Sequence, residues 1–136
     1  MAKTLTEYRR NLKVGARVRV NNYCNHRLYV GEVIELHQTY FKVAREVTKK
    51  YYDECSPLLK NGINFFIRPD ALGDDHYYAV SIISWQPAKH SKVEGNKLHF
   101  LSYPNTLNSG VIVNYPCSNI PIGQVWMTVE VSNRLY

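Results

Sequence analysis

Cysteine is scarce in this chain, and long apolar runs are missing. The 136 residues include three cysteines, Cys24, Cys55 and Cys117, an odd number spaced too widely for a disulfide framework. This usage fits a reducing, cytoplasmic compartment. No stretch approaches the roughly 20 apolar residues of a membrane-spanning helix, and the first residues lack the apolar centre of a signal peptide. We therefore expect a cytoplasmic protein with no membrane partner.

Catalytic motifs are also missing. The chain has no phosphate-binding glycine loop, no dinucleotide fingerprint, no His-Glu-x-x-His pair and no Gly-x-Ser-x-Gly elbow. Cys24 and His26 are metal-competent, but structural zinc needs four ligands, and no second short spacing completes the set. The triplet at residues 74–76, Asp-Asp-His, suits a divalent ion or a base, although such acids are more typical of a polar turn. We expect a protein that is not an enzyme and uses no metal or cofactor.

Charge is distributed unevenly. The chain has 17 basic and 11 acidic residues, a net charge of +6. Residues 1–30 contain seven bases and one acid, which already gives +6, and the remaining ten bases and ten acids cancel. From residue 100 onward the only charged side chains are Glu130 and Arg134. A positive field concentrated in one segment attracts polyanions, so the N-terminal quarter is the predicted binding region.

Alternation of apolar and polar residues predicts an all-β fold. Val14, Ala16, Val18 and Val20 share one face of a first strand, and the arginines between them share the other. Seven further β-prone segments follow, near residues 28–36, 41–43, 63–67, 77–85, 98–101, 111–115 and 125–131. A short helix is expected near residues 4–12, an exposed loop at 21–27, and a loop or one-turn helix within 46–60.

One glycine and the domain limits complete the fold prediction. Gly31 interrupts the second strand, where it permits a bulge or a sharp bend. We predict a single domain over residues 1–136. Its SH3-like barrel core covers residues 13–101 with an insertion at 46–61, and a C-terminal β extension covers 102–136.

The opening of the chain resembles an SH3-like small barrel. The segments VGARVRV (14–20), YVGEVI (29–34) and FKV (41–43) are similar to the start of the KOW and Tudor groups. The segments WQPA (85–88) and VEGN (93–96) resemble the closing part of small phage-encoded barrel proteins. The resemblance implies that the loop after the first strand lines a surface for nucleic acid or peptide segments. It would place Arg17, Arg19, Asn22, Tyr23 and Arg27 on or near that surface.

The leading functional hypothesis is nucleic-acid binding through phosphate, since cations beside an aromatic ring suit a phosphate backbone and an unpaired base. The predicted binding residues are Arg9, Arg10, Lys13, Arg17, Arg19, Tyr23 and Arg27. A solvated face with acid partners such as Glu32 and Glu35 remains an alternative.

Other partners remain open as well. The same arginines suit an acidic protein surface, as in a protein-interaction module or a phage-encoded inhibitor of a host protein. A third hypothesis is a protein that sequesters a small anionic nucleotide. The C-terminal strands, poor in charge, are either interior strands or the interface of a homo-oligomer.

Overall fold

A curled antiparallel sheet of eight strands dominates the computed structural model of this chain, which describes residues 2–58, 60 and 63–132. The predicted all-β class is confirmed. The elements are α1 (Leu5–Asn11), β1 (Arg17–Asn22), β2 (Arg27–Leu36), β3 (Tyr40–Val47), α2 (Lys49–Glu54), β4 (Phe65–Pro69), β5 (Asp75–Ser84), a 3₁₀ turn (Gln86–Lys89), β6 (Ser91–Glu94), β7 (Lys97–Leu101), β8 (Tyr103–Thr106), β9 (Ile112–Tyr115) and β10 (Val125–Val131).

The strand order brings the two ends of the chain together. The main sheet runs β4-β5-β3-β2-β1-β10-β7-β6, and β8 and β9 form a separate two-stranded ribbon. The last strand, β10, pairs with β1 on one side and β7 on the other. Because β10 belongs to the predicted C-terminal extension, the predicted boundary at residues 101/102 does not separate two halves of the sheet.

One core lies inside the curl of the sheet. Phe41 of β3, Phe100 of β7 and Val129 of β10 are fully buried in a single apolar cluster. Strands β3 and β7 are four places apart in the sheet, so their side chains share one core only because the sheet bends around it. Burying each such side chain contributes about 1.5–3 kcal/mol.

The first strand follows the predicted alternation but starts later. Val18 and Val20 are buried, and Arg17 and Arg19 are exposed, as period two requires. The strand begins at Arg17 because Gly15 lies in a turn with φ of 94°, a conformation that favours glycine.

Gly31 has a different role from the predicted one. The irregularity in the β2–β3 pairing lies between Val33 and Glu35, beyond Gly31. At Gly31 itself, a Cβ atom would lie 2.5 Å from Cγ1 of Val43 and 2.7 Å from the carbonyl oxygen of Ala44. The glycine therefore permits close approach of β2 to β3.

The cysteines, although too few and too widely spaced for a disulfide framework, form one bond. Cys24 and Cys117, 93 positions apart in sequence, are bonded, with their Cα atoms 6.3 Å apart. Cys55 is free. The bond joins the β1–β2 turn to the segment after β9, a contact that sequence spacing does not reveal. The cysteine argument for a reducing compartment loses its basis, and the cytoplasmic location stays a prediction. Within the described residues, no helix is long and apolar enough to cross a membrane.

Candidate nucleic-acid interface

The predicted binding residues fall in three places on the fold. Arg9 and Arg10 belong to helix α1, and Lys13 follows it. Arg17 and Arg19 lie on the outer face of β1. Tyr23 lies in the β1–β2 turn, and Arg27 is the first residue of β2.

Helix α1 uses Arg9 for packing. The helix starts at its cap Thr4, whose hydroxyl accepts a hydrogen bond from the Glu7 backbone N–H at 3.2 Å. The Arg9 guanidinium lies 4.6 Å from the centre of the Trp85 ring and donates to the Gln38 carbonyl at 2.6 Å. This side chain therefore ties the helix to Trp85 and to the β2–β3 turn and has less freedom to meet a ligand, whereas the neighbouring Arg10 is exposed.

The outer face of β1 carries mixed charge. The register places Glu32 of β2 opposite Arg17 and Glu130 of β10 opposite Arg19. Both arginines and Glu130 line a shallow groove of about 450 Å³. In the described part of the chain, no carboxylate approaches either guanidinium within 4.0 Å. Adjacent carboxylates nevertheless weaken the positive potential of this face.

The β1–β2 turn is held by asparagine side chains. The Asn22 side-chain oxygen accepts from the backbone N–H groups of Cys24 at 2.9 Å and Asn25 at 3.3 Å. The Asn25 oxygen accepts from the backbone N–H of Arg27 at 3.1 Å. Such turns are a common use of asparagine, and this one fixes where β2 starts. Tyr23 lies in the turn and is 39% exposed, so part of its ring is open to solvent.

A second arginine, which the sequence did not indicate, completes a cluster at this end of the sheet. Arg45 of β3 lies 5.9 Å from the Tyr29 ring centre and 5.2 Å from the Tyr51 ring centre, and it donates to the Tyr51 hydroxyl at 3.3 Å. Arg27 lines a small cavity of about 120 Å³ together with these three residues. We call Arg27, Tyr29, Arg45 and Tyr51 the Arg/Tyr cluster.

The position of the cluster follows from the strand register. Residues 27 and 29 share the inner face of β2 by alternation. Arg45 comes from β3 and Tyr51 from α2, the helix inside the predicted insertion. That helix starts at Thr48, whose hydroxyl accepts from the Tyr51 backbone N–H at 3.0 Å. The alternation pairs Arg27 with Tyr29, but the sequence does not indicate which β3 or α2 side chain would meet them.

Burial raises the pKa of the Tyr29 phenol above its ordinary value. A hydrogen bond with Ser81 and the positive charges of Arg45 and Arg27 oppose this shift and lower the pKa in part. The ring is therefore neutral at physiological pH, so a ligand meets a neutral ring beside two positive charges.

A larger cavity adjoins the cluster, and we call it the mouth cavity. It encloses about 310 Å³ where β1 ends and where β2 and β10 begin. Its lining includes aromatic, amide and hydroxyl side chains as well as apolar ones. The lining residues are Val20, Asn22, Asn25, Arg27, Tyr29, Ser81, Ile82, Ile83, Ser84, Pro87, Tyr115, Trp126 and Met127. Among the described residues, no acidic side chain lines this cavity or the cavity of the Arg/Tyr cluster.

The acidic triplet at 74–76 does not form a base or a metal site. His76 contacts Glu46 through Nδ1 at 2.8 Å and Asp70 through Nε2 at 3.0 Å. These carboxylates raise the pKa of His76 to about 9, so the imidazole is protonated at neutral pH and has no free lone pair. The sulfur of Cys24 is bonded to another cysteine, which removes it as a partner of His26. Among the residues that the structure describes, no three His, Cys, Asp or Glu side chains are arranged so that they could hold a metal ion.

The end of the sheet near the β1–β2 turn thus combines positive charge, aromatic rings and a cavity. The comparison of this chain with protein-family models finds no match. Comparisons with curated proteins and with solved structures find no match either.

Proposed function

We propose that this protein binds nucleic acid without catalysis, through phosphate contacts at the Arg/Tyr cluster. The observation that carries this proposal is the Arg45 guanidinium over the Tyr29 ring, with Arg27 lining the same cavity and no acidic residue lining it or the mouth cavity in the described part of the chain. Of the predicted binding residues, Arg27 and Tyr23 lie at this end of the sheet. The exposed Arg10 and Lys13 add to the long-range attraction of a polyanion.

The geometry of Arg45 suits phosphate recognition. A guanidinium group presents paired N–H donors that match two phosphate oxygens. Two tyrosine rings hold this side chain, so less conformational freedom is lost when a phosphate binds. Exposed tyrosine faces also provide stacking for unpaired bases, at about 1–3 kcal/mol per base.

The test compares two neutralised variants with the same change of charge. Arg27→Gln/Arg45→Gln removes the cluster arginines, and Arg17→Gln/Arg19→Gln removes the same charge from the outer face. Fluorescence anisotropy with labelled oligonucleotides is measured across a salt series. For single strands, the logarithm of the binding constant falls with the logarithm of the salt concentration, with a slope of about 0.7 per phosphate contact. Losing two contacts should therefore make this slope shallower by about 1.4. Near-UV circular dichroism checks that both variants are folded.

The outcomes distinguish binding at the Arg/Tyr cluster from attraction by the net charge of the protein. We expect the cluster variant to lose at least tenfold in affinity and the outer-face variant to lose much less. Equal losses would show that net charge, and not this cluster, drives binding. A folded wild-type protein that binds no oligonucleotide at low salt would refute the proposed function.

A second candidate function is protein binding, and the β8–β9 ribbon favours it. Among the described strands these two pair only with each other. The turn between them exposes Leu107 (46%) and Val111 (55%), and the first residue of β9, Ile112, is 66% exposed. Exposed apolar residues next to unpaired strand edges are suited to contact with another chain. In contrast, Trp126 and Val129 of β10 are buried within the sheet, which accounts for the lack of charge there.

Light scattering after size exclusion tests this second candidate for a homo-oligomer. If the ribbon joins two copies, the wild type should be a dimer and Ile112→Lys a monomer. A wild type that stays monomeric at all concentrations would leave a different protein as the only possible partner of the ribbon.

A further inference from the structure

The mouth cavity has the size of a site for one small planar ring. Cavities that hold small molecules typically enclose about 300–1,000 Å³, and this one, at about 310 Å³, lies at the lower limit. Three aromatic side chains line it, from Tyr29, Tyr115 and Trp126. Rings of this kind stack on a heteroaromatic ligand, and the volume excludes a much larger one.

Hydrogen-bond donors dominate the polar lining. The side-chain oxygens of Asn22 and Asn25 accept bonds from the turn backbone, which leaves their NH₂ groups as donors. Trp126 lines the cavity and is only 7% exposed, so it contributes aromatic surface and not a further donor.

We propose that the mouth cavity binds one unstacked thymine or uracil ring of single-stranded nucleic acid. This inference rests on the proposed function, since the adjoining phosphates would contact Arg27 and Arg45. A thymine or uracil ring presents two carbonyl acceptors to the asparagine donors and is smaller than a purine. In a duplex one of these carbonyls is paired and the rings are stacked, and taking one ring out costs a few kcal/mol.

The cavity can be filled without disturbing the core. Ser84 lines it from the exposed end of β5, so Ser84→Phe places a ring in the opening. Gln86→Phe adds the same aromatic bulk at an exposed position two residues later that does not line the cavity. The two variants are compared with wild type by anisotropy, with dT20, dA20 and the dA20·dT20 duplex as probes.

We expect wild type to bind dT20 about tenfold more tightly than dA20, the effect of one additional satisfied hydrogen bond. Ser84→Phe should lose this preference and keep its duplex affinity within about twofold, because phosphate contacts remain. Gln86→Phe should behave as wild type. Tryptophan fluorescence gives a second readout, since dT20 should quench Trp126 emission in wild type and not in Ser84→Phe.

Three results would overturn the inference. The first is equal affinity of wild type for dT20, dA20 and the duplex, which leaves phosphate binding intact and removes the base site. The second is a Ser84→Phe variant that binds dT20 as wild type does. The third is thymidine monophosphate binding as tightly as dT20, which would make the cavity a mononucleotide site. Absence of binding to every probe at low salt would instead refute the proposed function itself.

Discussion

Replacing Gly31 by alanine tests the closeness of β2 and β3 directly. The new Cβ would lie 2.5 Å from Cγ1 of Val43 and 2.7 Å from the carbonyl oxygen of Ala44. The Val43 methyl group belongs to a fully buried side chain, and Ala44 pairs with Glu32 in the β2–β3 ladder, so neither atom moves freely. Overpacking of this kind costs typically about 1–3 kcal/mol, and we expect the upper end because one contact is with backbone.

Chemical denaturation in urea measures this cost. The matched control is Gly73→Ala, where the same methyl group meets no atom within 4 Å and the only penalty comes from φ of 86°. Alanine in that conformation costs about 1–2 kcal/mol. A Gly31→Ala protein within about 0.5 kcal/mol of wild type, a change typical of surface sites, would refute the described packing of β2 against β3.

Two further predictions concern titration and a buried hydroxyl. The imidazole of His76 should titrate near pH 9 by NMR, and Glu46→Gln should lower this pKa; a wild-type value near 6.5 would contradict the geometry. Because the folded pKa lies above the unfolded one, the ion pairs stabilise the fold fully below about pH 6.5, and this stabilisation is lost as pH rises through about 9. Tyr8→Phe should lower the free energy of unfolding by about 1–2 kcal/mol, since its buried hydroxyl donates to the Val129 carbonyl at 2.7 Å. An unchanged urea midpoint would show that this bond contributes nothing.

Much of the secondary structure could be predicted because it depends on neighbours in sequence. Alternation identified β1 and β3, and the β-prone segments near residues 98–101 and 125–131 are present as β7 and β10. The helical turn within residues 46–60 is present as α2, which ends at Glu54, before Pro57. In each case a few adjacent residues set the backbone conformation, so local propensity was sufficient.

The candidate site could be predicted only in part. Arg27 and Tyr23 belong to the segment that the charge distribution and the resemblance both indicated. Arg45 and Tyr51 were missed because the register of a neighbouring strand and a short helix bring them to the cavity that Arg27 lines. Arg9 was expected on the binding surface, but it packs on Trp85, a contact between residues 76 positions apart. Charge counts along a chain do not distinguish an arginine that packs from one that is available to a ligand.

The sequence by itself determined the β class, the inward faces of β1 and β3 and the concentration of positive charge near one end. These properties follow from composition and from period-two alternation, which act over a few residues. Only the tertiary structure decided that β10 pairs with β1, that Cys24 is bonded to Cys117, and that Arg45 lines one cavity with Arg27. Each of these arrangements brings together residues 18 or more positions apart, which depends on strand order and register and not on the propensity of neighbouring residues.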